Sequence, residues 1–156
     1  MPNRTASAPA RRVRVIGAGG TIGMNGAGGA TPQLDAGALV AAVPGLESYD
    51  GLTAETVANL PSAHLSLEQM LEICRRARDA ARRGIGVVVT HGTDTLEETA
   101  MLCDILSDAE APVVFTGAIR PASAPGADGP ANLVDAVAAA ASVDAAHLGT
   151  LVVFGG

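Results

Sequence analysis

Two threonines, Thr21 and Thr93, are the residues whose type and placing could do chemistry. Each stands in a short turn between an apolar run and a segment patterned as a helix. A threonine hydroxyl is a poor nucleophile until a base takes its proton, so its neighbours matter. Around Thr93 the stretch His91-Gly92-Thr93-Asp94-Thr95 crowds hydroxyls and one carboxylate into five residues. Around Thr21 the loop Gly17-Ala18-Gly19-Gly20-Thr21-Ile22-Gly23 lets the backbone approach a ligand while Thr21 projects its hydroxyl. Both turns fall where a strand feeds a helix, the edge at which open α/β sheets bind ligands. Free N–H groups and the helix dipole there favour negative charge, on a substrate or in a transition state. Adjacent strands would bring the two turns to one crevice. Each turn alone reads as well as a structural one, with Thr93 or Asp94 acting as a cap. His91 could serve as a base, or could fix the loop by hydrogen bonds at a strand end. Glu97 and Glu98 fit the electrostatics of a first helical turn.

These residues need strands and helices to hold them. Ile85 to Val89 is an apolar β-branched run, a buried strand. Thr95 and Glu98 stand at capping-box spacing before the next helix. Upstream, Arg12 to Ile16 suits a first strand, and the glycine-rich Asn25–Thr31 a loop able to cover a site. Asp35 caps a short helix reaching Val43, stopped by Pro44-Gly45. Ala54 to Leu60 is a second strand leading to Pro61-Ser62-Ala63-His64. Ser66 and Gln69 form a capping box for a helix over 67–83, with Leu67, Met70, Leu71, Cys74, Ala77 and Ala81 on one face. Pro112 to Thr116 and Leu151 to Phe154 are further strands. Between them lie a long loop, 117–126, and an alanine-rich helix opened by Asp128-Gly129-Pro130. Strands alternating with helices predict an α/β fold with a mostly parallel sheet covered on both faces.

The 156 residues suit one domain. The chain is 48% hydrophobic but only 2% aromatic, so its core must be aliphatic. A net charge of −6 argues against a nucleic-acid or anionic-membrane surface. The arginines at 75, 76, 78, 82 and 83 read as a solvated helix face. All ten basic residues are arginine, and there is no lysine. Cys74 and Cys103 read as buried, reduced thiols, with no metal-ligand spacing. No signal peptide or membrane span is visible.

The run Thr90 to Ala100, THGTDTLEETA, closely resembles a signature motif of the asparaginase/glutaminase family with a threonine nucleophile. That family's other signature, a Gly-Gly-Thr-Ile turn after the first strand, is matched by Gly19-Gly20-Thr21-Ile22. Residues 115–121 and 127–133 resemble further family blocks, and the likeness runs from Val13 onward. It implies a three-layer αβα sandwich like the family's N-terminal domain, spanning residues 11–156 after a disordered lead, 1–10. It also implies one left-handed crossover in the sheet. By resemblance, Thr21 is the acylated nucleophile, and Thr93 is the second catalytic threonine, its N–H helping to bind the oxyanion. Asp94 grips the substrate α-ammonium, Ser62 binds the α-carboxylate, Gly92 belongs to the binding loop, and the Ala118 carbonyl contacts the scissile amide. The implied reaction is hydrolysis of L-asparagine to L-aspartate and ammonia, with no cofactor and no metal. The implied setting is cytoplasmic, as a homo-oligomer when full length, with a small amino-acid amide as the partner and neither nucleic acid nor membrane.

Three departures stand out. The family's lid tyrosine has no counterpart in Asn25–Thr31. Ser62 is followed by Ala63-His64 where better-studied relatives carry Gln-Asp. The family's catalytic lysine falls shortly beyond Gly156, as does its smaller C-terminal domain, so the domain is expected to be incomplete. A non-catalytic amino-acid-binding remnant and the ammonia-producing subunit of a tRNA-dependent amidotransferase are the alternatives. A dinucleotide-binding domain is weaker, because the glycine register is wrong.

Overall fold

A computed structural model describes residues 11–25, 31–32, 34–46 and 49–155. The expected lead, 1–10, and the middle of the expected covering loop, 26–30, lie outside the described residues. In chain order the strands are β1 (Val13–Gly19), β2 (Met24–Asn25), β3 (Thr31–Pro32), β4 (Leu52–Leu60), β5 (Gly86–Thr90), β6 (Val113–Thr116) and β7 (Thr150–Val152). The α-helices are α1 (Ala36–Ala41), α2 (Leu67–Ala81), α3 (Leu96–Leu106) and α4 (Gly129–Ala141).

Five strands make one sheet in the order β4-β1-β5-β6-β7, and every neighbouring pair is parallel. β2 and β3 form a separate antiparallel ribbon just after Thr21. Alternate residues of each central strand enter two different cores. Ile16, Ala18, Val87, Val89, Val113 and Phe115 pack under α2 and α3. Val13, Val15, Val88 and Val114 pack under α1 and α4. This explains the near-continuous apolar runs, since a strand covered on both faces has no polar side to show. The result is the three-layer sandwich.

The faces also settle the handedness. α2 and α3 sit on one face, and their crossovers both run toward β7. α1 sits on the opposite face, but its crossover runs the other way, from β1 to β4, so it has the same hand. α4 shares α1's face and runs from β6 toward β7, so the β6–α4–β7 crossover has the opposite hand to the other three. Right-handed connections hold in about 98% of cases, which makes this fourth one left-handed.

Local signals held at two helix starts. Asp35 Oδ1 accepts the Ala38 N–H at 2.7 Å. Ser66 and Gln69 cap reciprocally, at 3.3 and 2.9 Å. Two readings need correction. Leu67 is 64% exposed, although its spacing places it in line with Cys74. Periodicity tells which face is apolar, not how far the underlying sheet extends. The second is the capping box at Thr95, which is absent for a tertiary reason given below. β4 also begins at Leu52 rather than Ala54, because β1 starts opposite it at Val13. Gly86 opens β5 beneath the Ala140 carbonyl of α4, which is too close for any Cβ. Among the described residues no helix is long and apolar enough to cross a membrane.

Candidate active site

Four neighbouring strand ends supply all the candidate residues. Ser62 follows β4, Thr21 follows β1, Gly92, Thr93 and Asp94 follow β5, and Ala118 follows β6. The chain leaves β1 for β4 on one side and returns to β5 on the other. The sheet therefore reverses its winding between β1 and β5, with α1 and α3 on opposite faces. Such a switch point opens a crevice at the carboxyl ends of the strands. The turns bearing Thr21 and Thr93 flank it.

Glycines let these turns close on one another. Gly20 has φ +88°, and a Cβ there would lie 2.5 Å from Gly92 Cα. Backbone thus meets backbone one residue before each threonine, and only glycine fits. A Cβ at Gly92 would in turn lie 2.5 Å from Ser62 Oγ, and one at Gly117 2.5 Å from the His91 carbonyl oxygen. The Gly20 N–H bonds the Leu60 carbonyl at 3.2 Å, tying the Thr21 turn to the end of β4. Gly129, at the start of α4, lies under Ile22 and Ala118 together. A Cβ there would come 2.8 Å from Ile22 Cγ1 and 3.3 Å from Ala118 Cβ.

The side chains divide by exposure. Thr93 and Asp94 are exposed, Thr21 is half-buried, and Ser62 and Ala118 are buried. Ser62 Oγ has no hydrogen-bond partner among the described residues despite its burial. A buried hydroxyl left unpaired is costly and calls for a ligand or a water. The Ser62 carbonyl is held by Thr95 Oγ1, which donates to it at 3.0 Å. That bond removes Thr95 from its expected cap, so α3 begins without a side-chain cap. The hydroxyl spans two strand ends instead of closing its own helix.

His91 is fully buried. Its Nδ1 lies 2.8 Å from the Gly92 carbonyl, so Nδ1 carries the proton, and Nε2 is a buried acceptor without a partner among the described residues. Burial pushes its pKa below the ordinary histidine value, against smaller upward pulls from the Gly92 carbonyl and Glu98. The imidazole is therefore neutral at pH 7 and braces the loop, one of the two roles its position allowed. His64 is exposed and takes no part in the cluster.

Comparison with known proteins bears on this arrangement. The family model described as Asparaginase, N-terminal, matches residues 12–156. The chain belongs to the asparaginase family. It is 37% identical over 149 residues to L-asparaginase 2 of Bacillus subtilis, covering 90% of this chain and 40% of that protein. It is 37% identical over 148 residues to the glutaminase-asparaginase of Pseudomonas fluorescens biotype A, covering 90% and 41%. The crystal structure of a probable cytoplasmic L-asparaginase from Campylobacter jejuni superposes with a TM-score of 0.81 at 35% identity, covering 92% of this chain and 44% of that one. The chain thus spans about two fifths of the length of these relatives.

In this asparaginase-family domain, the residues that sequence reasoning missed are Asp128 and Asn132. Asp128 reads as a helix opener, yet its carboxylate does not cap α4. It accepts the N–H groups of Ile119 at 3.0 Å and Arg120 at 2.8 Å. Asn132 Nδ2 donates to the Gly117 carbonyl at 2.9 Å and to Asp128 Oδ2 at 3.2 Å, and its Oδ1 accepts from Gly155 N at 3.0 Å. One signal was available: two polar residues four apart at the buried side of a helix start need partners. Which partners they take depends on where the 117–126 loop returns.

Proposed function

We propose that this chain carries the nucleophile and substrate-binding residues of an L-asparaginase-type amidohydrolase. The observation that carries the proposal is the closure of Gly20 on Gly92 at the sheet's switch point, which sets the two threonine turns one residue from contact. Thr21 Oγ attacks the side-chain amide carbon of L-asparagine. The carbon–nitrogen bond breaks, the hydroxyl proton passes to the leaving nitrogen, and ammonia departs. Water then cleaves the aspartyl ester and releases L-aspartate. Thr93 supports the oxyanion through its N–H, and such donors contribute roughly 2.7–4 kcal/mol each. Asp94, exposed at the crevice, takes the α-ammonium. Ser62 Oγ, unpaired beside Gly92, takes the α-carboxylate. The Ala118 carbonyl accepts from the amide nitrogen.

No lysine lies within these 156 residues to deprotonate Thr21. Acylation by this chain alone is therefore slow, since a positioned base contributes about 10²- to 10⁴-fold. The same absence favours a second reading, a domain that binds the amino acid without turning it over. In the first reading residues 11–156 form the nucleophile-bearing domain of a cytoplasmic homo-oligomer. The test is mass spectrometry of acid-quenched mixtures of the chain and L-asparagine. The expected product is an aspartyl group on the peptide containing Thr21, absent in Thr21→Ala. Adduct on any other residue would defeat the assignment, and L-aspartate binding without adduct would favour the second reading.

A further inference from the structure

We infer that Asp128 is a positioning residue that aims and polarises the Ala118 carbonyl toward the reacting amide nitrogen. The inference rests on the functional reading above. The Ile119 N–H, held by Asp128 Oδ2 at 3.0 Å, belongs to the same peptide unit as the Ala118 carbonyl. That unit is trans, so its N–H and C=O point in opposite directions. Anchoring the N–H to the start of α4 fixes the carbonyl pointing away from it. The second bond, from Arg120 N–H to Oδ1 at 2.8 Å, stops the loop from pivoting about the first. A carboxylate on the N–H side also draws the amide proton toward itself and pushes electron density onto the carbonyl oxygen. Charge-assisted hydrogen bonds polarise the groups they join in this way.

The carboxylate is itself fixed. Asn132 Nδ2 bridges Asp128 Oδ2 and the Gly117 carbonyl, so the peptide before Ala118 is pinned from the same helix. Burial pushes the Asp128 pKa up, but the bonds from the Ile119, Arg120 and Asp128 N–H groups and from Asn132 together hold the group below the usual carboxylate range. Ala118 is buried, and no donor among the described residues meets its carbonyl. Gly129, the next residue, underlies both Ala118 and Ile22, so the helix start that aims the carbonyl also seats the turn bearing Thr21.

The departing nitrogen loses its amide conjugation and gains positive charge when it takes the hydroxyl proton, before its bond to carbon breaks. An electron-rich acceptor is then worth more in the transition state than in the ground state, so it should act on the acylation rate rather than on affinity. An ester leaving group offers no N–H to this carbonyl. The test is therefore single-turnover acylation of Thr21 in the whole chain by L-asparagine and by L-aspartate β-methyl ester. For Asp128→Ala the amide rate is expected to fall about tenfold or more, the scale of losing a charge-assisted bond. Half-saturation should hardly move, and the ester rate should stay within about threefold. Asp128→Asn keeps one acceptor oxygen and should fall between the two; it carries the test if the alanine variant does not fold. Equal losses on amide and ester, or no loss on either, would overturn the inference. No acylation of the unaltered chain by either substrate would defeat the functional reading, and this inference with it.

Discussion

The two ends of β1 each border a polar region, and the two regions are built in opposite ways. At the amino end, Arg14 faces a cleft lined with Glu55, Glu72, Arg75, Arg76, Asp79 and Arg83. There charge meets charge in water: Glu55 pairs with Arg14 at 3.6 Å and with Arg76 at 3.0 Å, and Arg76 pairs with Glu72 at 2.7 Å. At the carboxyl end, past Gly19, the buried Ser62 Oγ and His91 Nε2 have no partner among the described residues, and backbones touch. Charge density alone would point to the amino end, away from the proposed site. A solvated ion-pair face answers its own charges and leaves little for a ligand. Unmet hydrogen-bonding capacity, held rigidly at a switch point, is what a ligand can use.

The largest effect expected from this contrast is at Gly20. Alanine there takes a left-handed backbone, costing about 1–2 kcal/mol, and drives a methyl into Gly92, costing about 1–3 kcal/mol more. Urea denaturation of Gly20→Ala should show a loss of roughly 2–5 kcal/mol, or no folded baseline at all. A loss below about 1 kcal/mol would mean the two turns can part freely, and the contrast would break.

A smaller effect should follow pH. Because burial depresses the His91 pKa in the fold, the folded ring stays neutral where the unfolded chain takes a proton. The stability this represents is fully present above the unfolded value of about 6.5 and is lost as pH falls toward the folded value. Between pH 7.5 and 5.5 that loss is at most about 1.4 kcal/mol. The comparison is of urea midpoints at these two pH values, with His91→Asn expected to decline less than the unaltered chain. Equal declines would show that His91 titrates freely and braces nothing. Asp108, lowered by Arg82 and Arg78, and Asp128 add acid sensitivity only in the carboxylate range, below about pH 4.

The smallest effect belongs to the amino end. Glu55→Gln removes the carboxylate shared by Arg14 and Arg76, yet those side chains remain about a third to a half exposed. Thermal or urea unfolding should change by less than about 1 kcal/mol, the usual range for surface pairs. A loss as large as that at Gly20 would show that the cleft is structural.

Much of the fold was legible in the residues. Apolar β-branched runs marked β5 and β6, because strands covered on both faces need no polar side. Ser66-Gln69 and Asp35 marked helix starts, because a cap bonds only to the next few amides. The threonine turns were legible as a pair, and the structure brings their glycines into contact. Other features depended on partners distant in the chain. Thr95 has the spacing of a cap, but the Ser62 carbonyl, 33 residues earlier, takes its hydroxyl. Leu67 has the spacing of a core residue, but it stays 64% exposed while Met70, in the same turn of α2, packs against the core. Asp128 has the place of a cap, but the returning loop offers it two better donors.

The sequence by itself determined which segments are the strands of the main sheet and the α-helices, which turns carry hydroxyls, and where glycine allows a close approach, since these follow from interactions a few residues long. The tertiary structure alone decided which turns meet, which crossover takes the opposite hand, and which polar atoms stay unpaired. Those outcomes depend on the order in which strands pack, and nothing local to any one segment encodes that order.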